Sequence, residues 1–121
     1  MPHNLGLLQA CAIALTSLHW LLVNSIFMSA SPFDWDDAKA AQNEADHGVS
    51  FEAATLVFVD PFALEWVDDR EDYGEDRYVI LGMVDGRMLY VAYTMRGDAI
   101  RIISARGAEP HERRKYHEEN G

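Results

Sequence analysis

The first charged residue of this chain is Asp34; residues 1–33 contain no Asp, Glu, Lys or Arg. A folded domain needs charged and polar side chains for its surface, so the folded unit is expected to begin near Ser31. That leaves roughly 85–90 residues, enough for one modest core and not for two. The expected division is a leader over 1–30 and one domain over 31–121. From Leu5 to Met28 the leader is apolar except at Gln9, Thr16, Ser17, His19 and Asn24. Its length matches a bilayer span. It lacks the flanking Lys and Arg that a signal peptide or a topology signal carries. Met28 ahead of Ser29-Ala30-Ser31-Pro32 reads instead as an ordinary start, so a mis-assigned start is the first expectation. A membrane anchor and a cleaved signal are the alternatives.

Charge within the domain is partitioned. Asp34 to Gly86 holds 15 acids against Lys39, Arg70 and Arg77, whereas Arg87 to Tyr116 holds 3 acids against 7 bases. The chain as a whole carries −10. An acidic protein can still present a local basic surface to phosphate. The acidic half reads as a solvated face, or as a docking surface for a basic partner. The single cysteine, Cys11, excludes an internal disulfide and a cysteine-based zinc site. A reducing, cytoplasmic setting fits.

Local signals set the expected elements. Asp34 or Asp36 can cap a helix that runs through the Ala-rich stretch to His47, with Gly48 in the left-handed position after it. Ser50 is the expected cap of a second helix over Phe51 to Phe58, ended by Asp60-Pro61. Strands are expected over Ala63–Val67, Arg77–Met83, Arg87–Thr94 and Ala99–Arg106. Asp85-Gly86 marks the central hairpin. A charged helix over 109–118 closes the chain, with Pro110 in its first turn. The expectation is an α+β domain in the order α-α-β-β-β-β-α. It has two N-terminal helices, a four-stranded antiparallel sheet covered on one face, and a C-terminal helix.

There is no Gly-rich phosphate loop and no Ser-His-Asp arrangement. His47, His111 and His117 are scattered, so neither a metal site nor a cofactor is expected. What remains is a set of Arg, Tyr, Thr and Ser on the strands, and one His at the corner between the first two helices.

The run FDWDDAKAAQNEADHGVSFEAATLVFVDP resembles the opening of the BrnT toxins, and so does the later run GRMLYVAYTMRGDAIRIISARGAEPHERRKY. With Arg77 and Gly82 between them, the resemblance covers Phe33 to Tyr116. The segment HGVSF and the strand RIISAR, followed by ER..Y, are specific in combination. The leader has no counterpart in the family pattern. The resemblance implies a RelE-like fold, metal-independent RNA cleavage that inhibits translation, and neutralisation by a BrnA-like antitoxin in a hetero-oligomer, for which the family suggests a heterotetramer. It also implies that DNA is contacted only through the antitoxin. The family usually has Lys-His before the corner glycine; here Asp46 precedes His47, which lowers phosphate attraction at that point. Two other readings stand beside the ribonuclease: a decayed fold of this kind that only binds protein, and a membrane-anchored small domain.

Metal-free RNA cleavage uses the 2′-hydroxyl as nucleophile. It needs a base, an acid for the leaving oxygen, and cations around the phosphorane. Arg77, Arg96 and Arg106 are the expected phosphate ligands, because guanidinium donates in pairs and stays charged. His47 is the expected proton-transfer group, with Tyr93 or Thr94 orienting the phosphate and Ser104 a lesser candidate. Arg101, Arg113, Arg114 and Lys115 are expected to touch RNA. Each residue also has a plainer role. His47 can simply end its helix, Arg96 can be a solvated turn residue, and Arg101 can pair with a cross-strand acid. Arg106 can pair with Glu109 or Glu112. The bases on the last helix can be a solvated face, and Tyr93 can be a core residue.

Overall fold

The computed structural model describes residues 32–121; the expected leader lies outside them. Chain order is β1 (Phe33–Asp34), α1 (Asp37–His47), α2 (Phe51–Thr55), a 3₁₀ turn (Leu56–Val59), β2 (Leu64–Asp68), β3 (Arg77–Val84), β4 (Arg87–Arg96), β5 (Ala99–Gly107) and α3 (Pro110–Asn120). Among the described residues, no helix is long and apolar enough to cross a membrane.

Both early helices are bounded by their own side chains. Asp36 accepts the Lys39 amide at 2.9 Å and starts α1. Gly48 ends it at φ 68°, donating to the Glu44 carbonyl at 2.8 Å. Ser50 accepts the Ala53 amide at 3.0 Å and starts α2. The second helix was expected to stay α-helical to Phe58. It tightens after Thr55 into the 3₁₀ turn, in which Val57 and Phe58 are both buried in the core.

The sheet differs from the expected four antiparallel strands. It has five strands in the order β1-β5-β4-β3-β2, and β1 runs parallel to β5, so the sheet is mixed. A two-residue strand leaves no alternating pattern to read, and β1 exists only through its pairing with Ile100 and Arg101. Beyond β1, Asn43 of α1 completes the edge of β5. It donates to the Ala105 carbonyl at 2.8 Å and accepts the Ala105 amide at 3.1 Å, as a neighbouring strand would. Asp85 and Gly86 take positive φ of 49° and 81°, as a two-residue hairpin of the predicted kind requires.

The sheet is covered on both faces, not one. Phe51, Ala54, Val57 and Phe58 pack on Ile80, Leu89, Val91, Tyr93, Ile102 and Ala105. The alternate residues Val79, Leu81, Met88 and Tyr90 form a second cluster with Leu64 and Tyr116 of α3. A register shift lies between Ala92 and Tyr93: Ala92 faces Ser104, but Tyr93 faces Ile102. The extra residue, Ile103, lets Ile102 and Ala105 both point into the first core although they are three apart.

Asp60 joins the two layers. Its Oδ2 accepts the Met83 amide at 2.8 Å and the Tyr116 hydroxyl at 2.7 Å. Burial and that hydrogen bond both push the Tyr116 phenol well above its ordinary range. Gly82 makes the approach possible: a Cβ there would lie 2.9 Å from Asp60 Oδ2, 3.0 Å from Val57 Cγ1 and 3.2 Å from Ala63 Cβ. Gly82→Ala is therefore expected to cost about 1–3 kcal/mol through overpacking, read as a lower thermal midpoint by circular dichroism. An unchanged midpoint would mean that Asp60 is not held there.

Glu65, opposite Ile80, carries a carboxyl on the first face. Burial raises its carboxyl from 4.5 to about 7, against a hydrogen bond from Tyr93 that lowers it. A raised acid favours folding while protonated. Its contribution is intact below the ordinary value of 4.5 and is lost as pH rises to about 7. Glu65→Gln should stabilise the domain by about 1–2 kcal/mol at pH 8 and by little at pH 4. Urea unfolding at the two pH values checks this; equal effects at both would refute it.

Candidate functional site

Strand register gathers four of the expected residues on one face. Thr94 of β4 stands opposite Arg101 of β5, and the pairing of Tyr78 with Tyr93 brings Arg77 to the other side of Thr94. Arg96 lies two residues farther along β4, on the same face. The N-terminal turn of α1 closes the end with Asp36 and Lys39, and Glu75 closes it from the loop before β3. Together with Ile102 and Ile103 these residues line a cavity of about 60 Å³. Four cations against two carboxylates leave its wall with a charge of +2, on a chain that is acidic overall.

The cations are held apart. Arg77 lies over the Tyr73 ring at 4.1 Å. Glu75 stands between Arg77 and Arg96, at 3.8 Å from Arg77 Nε and 3.9 Å from Arg96 Nη2, too far for hydrogen bonds. Arg77 Nε is consequently a buried donor with no partner. A donor in that state carries a desolvation cost that an incoming anion would relieve. Arg101 is paired more closely, donating to Asp34 at 2.7 Å. Thr94 is buried, and its hydroxyl donates to the Asp76 carbonyl at 2.6 Å. That bond anchors the loop between Glu75 and Arg77.

The other expected residues lie elsewhere. Tyr93 is next to Thr94 in sequence and therefore on the opposite face. It stacks on Tyr78 at 5.4 Å and meets Phe58 edge-on at 5.1 Å. His47 is the last residue of α1, eight residues and roughly 12 Å from Lys39 along the helix axis. Its carbonyl accepts from Arg87 at 3.5 Å, and Gly48's does so at 3.2 Å. Asp46 lies at the same remote end, accepting from Gln42 at 2.9 Å. The acid that stands where the family usually has a base is therefore away from the arginine cluster.

Arg106 is opposite Tyr90, four residues and roughly 13 Å along β4 from Thr94. It makes a bidentate pair with Glu112, at 2.8 and 2.9 Å, and lies over the Tyr90 ring at 4.0 Å. The Glu112 hydrogen bond raises the Arg106 guanidinium further. For Glu112 burial acts upward, but the Arg106 bond and charge, with the Glu109 amide, outweigh it and lower the carboxyl. Ser104 faces Ala92 across the sheet, between Arg106 and the cluster.

On α3, Arg113 donates to the Ala108 carbonyl at 2.8 Å and Lys115 lies over the Trp66 ring at 4.4 Å. Arg114 lines a shallow surface depression with Arg113 and His117. Among the described residues, Glu109, His111 and Glu112 come near metal-ligand spacing, but Glu112 is already engaged by Arg106 and the Glu109 amide. Lys39 and Glu75 were not foreseen as site residues. Lys39 read as part of a helix start, and Glu75 as one acid among many in a loop.

A family model of the ribonuclease toxin BrnT, of type II toxin–antitoxin systems, matches residues 35–112. The chain belongs to the BrnT family. No curated protein matches it. The BrnT match spans every residue lining the cavity and both members of the Arg106–Glu112 pair, and it stops short of Arg113, Arg114 and Lys115.

Two arginines of this BrnT chain should therefore respond differently to truncation. Arg106→Ala leaves Glu112 buried without its partner and is expected to cost about 3 kcal/mol of stability. Arg77→Ala removes a guanidinium whose Nε has no hydrogen-bond partner and which, among the described residues, meets only the Tyr73 ring and a Glu75 oxygen at 3.8 Å, and it should change stability by less than about 1 kcal/mol. Chemical denaturation of both variants tests the contrast. Equal losses would show that Arg77 also holds the fold together.

Proposed function

We propose that this BrnT-family chain is an endoribonuclease that cleaves RNA by attack of the 2′-hydroxyl on the adjacent phosphate. Arg77 and Arg96, assisted by Arg101 and Lys39, would gather the scissile phosphate and balance the charge that builds on its oxygens. The observation that carries this reading is the cavity walled by those four cations, into which Arg77 brings a buried, unpartnered Nε. Fixed guanidinium charge supplies the electrostatic stabilisation that a bound metal would otherwise give, so the reading is of metal-independent cleavage. Arg113, Arg114 and Lys115 lie on the helix that packs against the same face of the sheet, and would extend the track for the RNA backbone. A BrnA-like antitoxin would hold the toxin inactive in a cytoplasmic hetero-oligomer and contact DNA on its behalf.

The net charge of −10 supports a second reading, a fold retained for protein binding without catalysis. Induced expression of the chain, with growth and RNA integrity followed together, separates the two. Cleavage is expected to accompany growth arrest. Arg77→Ala and Arg96→Ala should each reduce it by about 10²-fold while the protein stays folded. Intact RNA with abundant folded protein would favour the binding module.

A further inference from the structure

The arginine cluster lacks an obvious proton acceptor, because His47 is at the far end of α1. Of the carboxylates that line the cavity or pair with its arginines, Asp34 and Asp36 are already committed. Asp34 Oδ2 is bound to Arg101 at 2.7 Å. Asp36 Oδ1 caps α1 at 2.9 Å, and that backbone hydrogen bond above all lowers its carboxyl, making it a poorer base. Glu75 differs from both. It lines the cavity, and each oxygen that approaches an arginine stops at 3.8 or 3.9 Å, leaving its lone pairs available. It is also positioned. The next residue, Asp76, is fixed through its carbonyl by the buried Thr94 hydroxyl at 2.6 Å. Tyr73, two residues before it, lies under Arg77 and donates to Asp68 at 3.2 Å.

We propose that Glu75 is the general base of the RNA cleavage reaction, an assignment that rests on the ribonuclease reading above. A phosphate bound by Arg77 and Arg96 would lie beside Glu75, which stands between these two side chains, and would bring the adjacent 2′-hydroxyl to its carboxylate. Glu75 takes the proton of that hydroxyl as the O2′–P bond forms. The P–O5′ bond breaks with its electron pair on O5′, which takes a proton from water. Glu75 returns its own proton to the hydroxide so formed. The products are a 2′,3′-cyclic phosphate and a 5′-hydroxyl end. A carboxylate beside the two arginines also repels an incoming phosphate, so removing its charge should not weaken phosphate binding.

The test uses the purified full chain and a single-stranded RNA oligonucleotide of mixed sequence. Cleavage is measured in single turnovers across pH, and binding is measured on the same oligonucleotide with 2′-O-methyl groups. Glu75→Gln is expected to bind the methylated RNA as tightly as wild type or more tightly. It should cleave at least about 100-fold more slowly and lose the acid-side limb of the rate profile. Glu75→Asp, which keeps the carboxylate, should recover part of the rate with that limb present. It also serves as the test if the Gln variant does not fold. The assignment is overturned if wild type cleaves and Glu75→Gln cleaves equally fast with the same pH profile, or if its loss lies wholly in binding. Wild type that binds RNA but leaves it intact would sink the ribonuclease reading itself, and Glu75's role with it.

Discussion

The two layers of this domain meet at one carboxylate. Asp60 leaves the 3₁₀ turn on the first face of the sheet, accepts the Met83 amide at the end of β3, and accepts the Tyr116 hydroxyl from the helix on the second face. Without it, α3 would lose this tie to the first layer and rest on the sheet through the Arg106–Glu112 pair, the Lys115–Trp66 contact and apolar packing, and the Met83 amide would lack an acceptor. A buried donor left unpaired costs more than the same hydrogen bond gains, so the geometry around Asp60 is tightly constrained. Gly82 follows from that constraint, because a Cβ at its position would lie 2.9 Å from Asp60 Oδ2. The loop from Val59 to Leu64 is thereby pinned at its start. Asn120 pins it again by donating to the Phe62 carbonyl at 2.9 Å.

The opposite edge is organised by α1. Asn43 satisfies both backbone groups of Ala105, and β1 satisfies the sheet edge near Ile100. Between them they fix the helix axis relative to β5, which is why the first turn of α1, with Asp36 and Lys39, reaches the arginine end of the sheet and His47 does not. The acidic loop between β2 and β3 is tied down in a similar way. Asp68 holds Arg70 at 2.8 Å where the loop begins, and Thr94 holds Asp76 where it ends. The hydrogen bond from Arg70 holds the buried Asp68 carboxyl below the usual carboxylate range. The cavity is thus built from three separately anchored segments meeting at one end of the sheet.

Features governed by near neighbours were legible in the sequence. The caps at Asp36, Gly48 and Ser50, the Asp85-Gly86 hairpin and the strand pattern of β3 to β5 all depend on residues within a few positions of one another. What escaped reading depends on pairing across the chain. β1 has no pattern of its own, and the second core appears only once Tyr116 is known to return to the sheet. The site divided along the same line. Arg77, Thr94, Arg96 and Arg101 share a face because of strand register. Tyr93 and Thr94 looked interchangeable as site residues, although the alternation of a strand sends them to opposite faces. Glu75 was hidden because its meaning comes from two arginines on different strands, one of them 21 residues away.

Arg77 and Arg106 show how little residue type decides alone. Both are arginines on the same face of one sheet, each over a tyrosine ring at about 4 Å. Arg106 meets a carboxylate that can lie flat against its guanidinium, and the pair neutralises itself. Arg77 meets a carboxylate shared with Arg96 and held back near 4 Å, so its charge is only partly compensated and one buried donor stays unpaired. The first arrangement is paired without a ligand; the second leaves a donor that an entering anion could satisfy. The acidity of the chain does not contradict this. Charges in solvent are screened over about 8 Å at physiological ionic strength. A phosphate at the cavity therefore feels four nearby cations more strongly than the carboxylates of the remote surface, and those carboxylates remain available to a basic partner.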